Sequence, residues 1–357
     1  MILQIQVGHP YEIQIEPGCI KELGKRAAQL FPKAARCCVV GDSNTLPLYG
    51  KIAEGSLKKA GFSVSTVSFE AGEARKTLAT ISSFYDAFCE AHLTRTDFVV
   101  ALGGGVTGDM AGFAAASFLR GIPFIQVPTS LLSQIDSSVG GKTGVDLPQG
   151  KNMVGAFHQP SFVLIDPNTL KTLPDQFFSD GMGEAIKYGC IKSRVLFDFL
   201  KENRIDSLRQ NSEKLCDLIR QCIEIKRTVV ERDEFDTGER MILNFGHTFG
   251  HALERLQNYG GLTHGAAVGI GCVIAAKIGE ELGITPTGTH PEIAELLEKY
   301  ALPTSFTESI DDLIAATGND KKSTADSINL VLLHQIGDAF LRKTPRSELP
   351  KLCEVLR

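Results

Sequence analysis

At 357 residues the chain exceeds the size at which one hydrophobic core usually stops growing, so two domains are expected. Apolar residues at 43% and charged residues at 22% exclude wholesale disorder, and 37 basic against 42 acidic side chains argue against a nucleic-acid partner. No run approaches the ~18 apolar residues of a membrane span, and the opening MILQIQVGHP lacks a basic-then-apolar secretory signal, so a cytoplasmic protein is expected.

Residues 2–7 and 11–15 alternate with period two and predict a hairpin. The runs 37–41, 62–69, 98–102, 122–127 and 162–165 are short and apolar or β-branched. Residues 46–60 and 78–91 between them have helical length and periodicity. Such alternation predicts a mostly parallel sheet with helices on its faces. Beyond about residue 167 the texture turns helical, over 195–208, 213–231, 241–256, 265–282 and 291–300, with Pro291 suited to a helix start. Strand signals there are confined to 328–333 and 339–342. The fold class expected is therefore α/β for residues 1–167 and mostly α-helical for 168–357. Nine cysteines, an odd number without C-x-x-C spacing, read as reduced thiols in small core positions.

Between Gly103 and Gly155 stand eleven glycines in 53 residues, about twice the density of the whole chain, which points to ligand-cradling turns. The strand at 98–102 runs into Gly103-Gly104-Gly105-Val106-Thr107-Gly108-Asp109 and then a small-residue helix at 110–118. A glycine-rich turn between strand and helix N-terminus suits phosphate, though a tight structural turn has the same composition. It is neither a Walker A loop nor a clean G-x-G-x-x-G. Asp42, at the end of a strand, suits a ribose diol or a helix cap equally. Glu73 and Lys76, in another post-strand turn, are cofactor contacts or solvated charges. Thr129 and Ser130 end a further strand with their hydroxyls placed for hydrogen bonding.

Three of eight histidines, His247, His251 and His264, fall within 18 residues. His247 and His251 stand four apart and share one helix face. The zincin-like spacing has Thr248 where a protease carries glutamate. A metal site remains if an acidic residue such as Glu184 converges on it; otherwise these are hydrogen-bonded core histidines. Lys187, three residues after Glu184, is an ion-pair competitor for it. The polar run Asp136 to Gly144, followed by Gly150-Lys151-Asn152-Met153, is an anion-holding segment or a solvated loop.

The motifs GGGVTGDMAGFAAASFLRG, FIQVPTSLLSQIDSSVGGKTGV, GKNMVGAF, GEAIKYG, LNFGHTFGHALE and HGAAVGIG, in this order and spacing, resemble the 3-dehydroquinate synthases over nearly the whole chain. The resemblance implies a Rossmann-like domain followed by a helical metal-binding domain, in a homodimer. It also implies conversion of 3-deoxy-D-arabino-heptulosonate 7-phosphate, a small phosphorylated sugar acid, to 3-dehydroquinate and phosphate, on the shikimate route to chorismate. NAD transiently oxidises the C5 hydroxyl, phosphate leaves, the hydride returns, and ring opening with an intramolecular aldol closes the carbocycle.

Carried over position by position, the metal ligands are Glu184, His247 and His264, for Zn²⁺ or Co²⁺. NAD falls to Asp42, Glu73, Lys76, Gly104, Gly105, Asp109, Thr129, Ser130, Lys151 and the segment Thr169, Leu170, Lys171, Thr172. Lys142 belongs to both the cofactor and the substrate side. The substrate falls to Asp136, Asn152, Lys187, Lys226, Arg240, Asn244 and His251. Arg120 matches a position that reaches a partner subunit's phosphate pocket, and a lysine of Asp320-Lys321-Lys322 closes over the phosphate. Two positions depart from the family pattern: Ser130 stands where a second Thr is usual, and Ala266 replaces a common Glu. The competing readings are another sugar phosphate cyclase (aminodehydroquinate or 2-deoxy-scyllo-inosose synthase) and a metal-dependent polyol dehydrogenase. Lys226 and Arg240 favour a carboxylated substrate over a hexose phosphate.

Overall fold

Residues 1–317 and 326–357 are described by a computed structural model, which divides into Met1–Leu173 and Pro174–Arg357. The predicted Asp320, Lys321 and Lys322 segment lies outside the described residues. The first unit opens with β1 (Ile2–Ile5) and β2 (Tyr11–Ile15), paired antiparallel, followed by α1 (Leu23–Leu30) and β3 (Arg36–Asp42). It continues through α2 (Lys51–Lys59), β4 (Ser63–Phe69), α3 (Leu78–Glu90), β5 (Phe98–Gly103), α4 (Gly105–Ser117) and β6 (Phe124–Pro128). A hairpin of β7 (Lys142–Leu147) and β8 (Gly150–Phe157) precedes β9 (Phe162–Ile165).

Among the described residues, seven strands join in the order β1-β2-β9-β6-β5-β3-β4, all parallel from β2 onward. Both faces are covered, which is why β3 and β5 read as unbroken apolar runs rather than alternating ones. Cys37, Val39, Phe98 and Val100 pack against Leu23, Ala27, Ala53 and Leu57 of α1 and α2. Their neighbours Cys38, Val40, Val99 and Ala101 face Phe84, Phe88, Met110 and Ala114 of α3 and α4. From β3 the chain steps outward to β4 and then returns to place β5 on the other side. The strand order therefore reverses between β3 and β5, where open α/β sheets bind ligands at their carboxyl ends.

The second unit is built on α5 (Asp175–Lys192), α6 (Arg194–Glu202), α7 (Ile205–Gln210), α8 (Ser212–Arg232) and α9 (His247–Leu256). It continues with α10 (His264–Glu281), α11 (Thr289–Lys299) and α12 (Ile310–Thr317). The antiparallel pair β10 (Ser327–Gln335) and β11 (Asp338–Pro345) and the short α13 (Leu349–Leu352) end it. α5 and α10 are buried almost all round, as central helices of a helical layer are. Among the described residues no helix is long and apolar enough to cross a membrane. Cys89 is exposed and Cys216 half-buried, while the other cysteines are buried and all are free.

Four sequence expectations are corrected. The helix after the glycine-rich turn begins at Gly105 rather than 110, so the glycines form its first turns. The expected helix over 241–256 is broken: a 3₁₀ turn at Glu239–Asn244 ends before Gly246, whose φ of +78° starts α9 afresh. A Cβ at Gly246 would lie 2.5 Å from the Val268 carbonyl oxygen, so the break and the close packing on α10 require the same glycine. The helix over 195–208 divides at Asn203, which is extended and whose side chain donates to the Phe199 carbonyl. Of the polar run Asp136 to Gly144 and the following Gly150 to Met153, the part from Lys142 onward belongs to the β7–β8 hairpin, hidden in the sequence by its glycines.

Candidate active site: a nucleotide crevice and a buried metal cluster

In the first unit, Asp42 ends β3 and Gly104 caps α4, on the two sides of the switch point. One Asp42 oxygen accepts the N–H groups of Asn44 and Thr45, both at 2.8 Å, and the other accepts the Thr107 hydroxyl at 3.2 Å. Asp42 therefore closes the turn that precedes the helix at Leu46, whose N-cap is Thr45 without a side-chain bond, and stands at the crevice. A Cβ at Gly104, the cap residue, would meet only the Ser130 side chain, at 3.5 Å, whereas one at Gly105 would lie 3.1 Å from Ser137 Oγ, so the room for a ligand is at the cap of α4. Such an opening, with free N–H groups at a helix start, fits a pyrophosphate.

Beside it, Lys76 is 4% exposed and donates to Asp109 Oδ2 and to Asn152 Oδ1, each at 2.6 Å. Burial alone would lower its pKa, but Asp109 and Glu73 outweigh that and raise it. Lys151 lies 4.0 Å from Glu73. Asn152 has φ +53° and its N–H donates to Asp146, which fixes the irregularity in the hairpin. Glu73, Lys76, Asp109, Lys151 and Asn152 therefore form one cluster. Thr129 donates its N–H to the Gly103 carbonyl, and the Ser130 hydroxyl bonds that of Ser133. Tyr49 donates to the Thr169 carbonyl and also bonds Thr172, anchoring the segment that includes Leu170 and Lys171. Asp136 is half-buried in the turn Ser133–Ser137, and Lys142 is exposed at the start of β7. Arg120 is exposed past α4 in left-handed backbone, φ +68°.

In the second unit, α5, α9 and α10 approach closely through glycine. A Cβ at Gly183 would lie 2.4 Å from the Gly265 carbonyl oxygen, and one at Gly265 would lie 1.9 Å from that of Asp180. This packing brings Glu184 of α5 to the first residues of α9 and α10. Glu184 Oε1 lies 3.5 Å from His247 Nε2 and 3.4 Å from His264 Nε2. Lys187 pairs with the other oxygen. Glu184 is fully buried, with Lys187 on one oxygen and the two imidazole nitrogens facing the other. Burial alone would raise its carboxyl, but the Lys187 ammonium and His264 hold it well below the usual carboxylate range. His264 is opposed by burial yet pushed up to about 10 by its bonds to Glu184 and Glu254. His247 is lowered, first by burial and then by the Lys187 charge.

A buried carboxylate oxygen facing two imidazole nitrogens is the donor set of a cation with intermediate softness. The three ligand atoms lie within 4.8 Å of one another, so the residues fit a divalent metal. His251, exposed on α9, has its ring 5.2 Å from that of His247 and 5.9 Å from that of His264. It forms a second candidate group with Glu254 and His264. Asn244, His247 and His251 line one cavity with Met241, Thr248 and Asn329. Arg240 is 1% exposed in the preceding 3₁₀ turn; it donates from its side chain to the Glu234 carbonyl and from its backbone to Asp233. Lys226 is buried on α8. Sequence reasoning missed Glu254 and Asp180. The signals were there: Glu254 stands at i+7 from His247, on the same face of α9, and Asp180 at i−4 from Glu184.

The family model described as 3-dehydroquinate synthase N-terminal matches residues 66–180, and the C-terminal model of the same name matches 181–323. The 3-dehydroquinate synthase of Clostridium botulinum (strain Alaska E43 / Type E3) is 47% identical over 336 residues, 94% of this chain and 95% of that one. That of Clostridium acetobutylicum is 46% identical over 360 residues, covering 99% of both. A crystal structure of 2-deoxy-scyllo-inosose synthase with carbaglucose-6-phosphate, NAD⁺ and Co²⁺ superposes with a TM-score of 0.89 at 26% identity, over 99% of both chains. The chain belongs to the 3-dehydroquinate synthase family.

Proposed function

We propose that this chain converts 3-deoxy-D-arabino-heptulosonate 7-phosphate to 3-dehydroquinate and phosphate, as a cytoplasmic homodimer using NAD and a divalent metal, Zn²⁺ or Co²⁺. The observation that carries the reading is the convergence of Glu184, His247 and His264 in a chain nearly half identical to 3-dehydroquinate synthases. When bound, NAD supplies reversible hydride transfer and the cation polarises a substrate hydroxyl. With three protein ligands, the site keeps coordination positions for that hydroxyl.

The chain's own residues bind, orient and move protons. The first turn of α4 holds the pyrophosphate and Asp42 a ribose, while Glu73, Lys76, Asp109 and Lys151 fix the hairpin beside them. Lys142 and Asn152 take the substrate phosphate as a point charge and a hydrogen-bond donor. Lys226 and Arg240 take the carboxylate, with Asp136, Lys187 and Asn244 on the hydroxyls. His251, with its ring exposed near the metal ligands, donates to the departing phosphate oxygen. Arg120 of a partner subunit completes the phosphate pocket.

A substrate panel tests the reading. Purified protein with NAD and Zn²⁺ should release phosphate from the heptulosonate phosphate and none from glucose 6-phosphate. Release from the hexose phosphate alone would make the chain a cyclase of the inosose type.

A further inference from the structure

Glu254 is 2% exposed, and a buried carboxylate is costly unless its oxygens are engaged. Its Oε1 lies 3.5 Å from His264 Nδ1, while Nε2 of the same ring lies 3.4 Å from Glu184 Oε1. The two carboxylates therefore face the two nitrogens of one imidazole. The backbone beneath that ring is already fixed, because the N–H of Gly265 donates to Asp180 Oδ1 at 2.5 Å. What remains undetermined is the rotation of the ring and which nitrogen carries its hydrogen.

We propose that Glu254 is a positioning residue that settles both, taking Nδ1–H of His264 so that the Nε2 lone pair points to Glu184 and His247. The proposal rests on the reading of Glu184, His247 and His264 as a metal site. A carboxylate behind a metal-binding imidazole fixes its tautomer and raises its basicity, and losing one typically weakens metal binding ~10–100-fold. Glu254 is suited to the role by its place on α9: His247, His251 and Glu254 occupy positions i, i+4 and i+7. One helix face thus supplies a ligand, a neighbouring imidazole and the support for a ligand on α10. The alternative arrangement, with Glu254 itself a ligand beside His251, would need Nδ1 of His264 for the metal and leave Glu184 buried with only Lys187 to balance it.

The test is metal affinity of the full-length protein. Wild type, Glu254→Gln, Glu254→Ala and His251→Ala are stripped with chelator and titrated with Zn²⁺ and Co²⁺ against a chromophoric competitor. Thermal midpoints of the metal-free forms are measured alongside. Expected are one tight ion in the wild type and in His251→Ala, a loss of about 10-fold in the isosteric Glu254→Gln, and up to about 100-fold in Glu254→Ala. The Co²⁺ absorption bands should keep their wild-type form in the Glu254 variants, because the ligands are unchanged. Wild-type affinity in Glu254→Gln and Glu254→Ala, with or without a lowered midpoint, would overturn the proposal. So would altered Co²⁺ bands in Glu254→Gln with equal loss in His251→Ala, which would make Glu254 a ligand. Failure of the wild type to take up either ion would instead overturn the metal-site reading beneath it.

Discussion

Replacing Gly265 by alanine should damage the fold and the metal cluster together. The added Cβ would stand 1.9 Å from the Asp180 carbonyl oxygen and 2.7 Å from its carbonyl carbon, both backbone atoms that cannot rotate away. Reaching even 3.0 Å from that oxygen means moving α5 and α10 apart by about 1.1 Å, and His264 is the residue next to the substitution. Overpacking of this kind costs about 1–3 kcal/mol, and a contact with rigid backbone belongs at the upper end. For a unit of this size, roughly 2–4 °C per kcal/mol gives a thermal midpoint lowered by about 6–12 °C. The control is Gly55→Ala on α2, where a Cβ meets nothing within 4 Å. There the gain in helix propensity should leave the midpoint unchanged or raise it. Calorimetry of both variants, with metal content measured on the same samples, checks the expectation. Gly265→Ala with wild-type midpoint and metal content would refute the claim that glycine-mediated packing places the ligands.

His264→Ala should strip tightly bound metal, while His251→Ala should keep it and lose phosphate elimination; metal analysis showing equal loss in both would reassign His251 as a ligand. Lys76→Met and Asp109→Asn should not add, since the two side chains share a partly buried ion pair at 2.6 Å; NAD titration of the double-mutant cycle should give a coupling of about 0.5–3 kcal/mol, and strict additivity would show that the pair does not act as a unit. Asp97 accepts the N–H groups of Ala35, Arg36 and Thr94, and these outweigh burial to lower its pKa. A depressed carboxyl contributes stability that is present above its unfolded value near 4 and lost as pH falls through the folded value. Asp97→Asn should therefore lose stability at neutral pH and show a smaller loss on acidification than wild type, which parallel acid-unfolding curves would contradict.

The nucleotide end was legible because its chemistry is local in the chain. Strand, glycines and helix are contiguous from Phe98 to Ser117, and Asp42 stands at a strand end that apolar content alone marks. The start of α4 was misplaced because glycines score poorly as helix formers, although here they let the helix sit against the sheet and the hairpin. The hairpin itself was hidden, since Gly144 and Gly155 face each other across it and leave no alternation to read. At the metal cluster, spacing alone pairs His247 with His251. The meeting of His247 and His264 at Glu184 depends on how α5, α9 and α10 cross, a long-range arrangement that the spacing along any one helix does not contain. Glu254 and Asp180 lay within reach of helical periodicity, but a buried carboxylate carries no mark in the sequence until its burial is known.

The most direct test of the central claim follows phosphate, dehydroquinate and NADH together through multiple turnovers of the heptulosonate phosphate with NAD and Zn²⁺. A hydride that is taken and returned within the site gives one dehydroquinate per phosphate with no accumulation of NADH. One NADH for each product molecule would contradict it and make the chain a metal-dependent dehydrogenase.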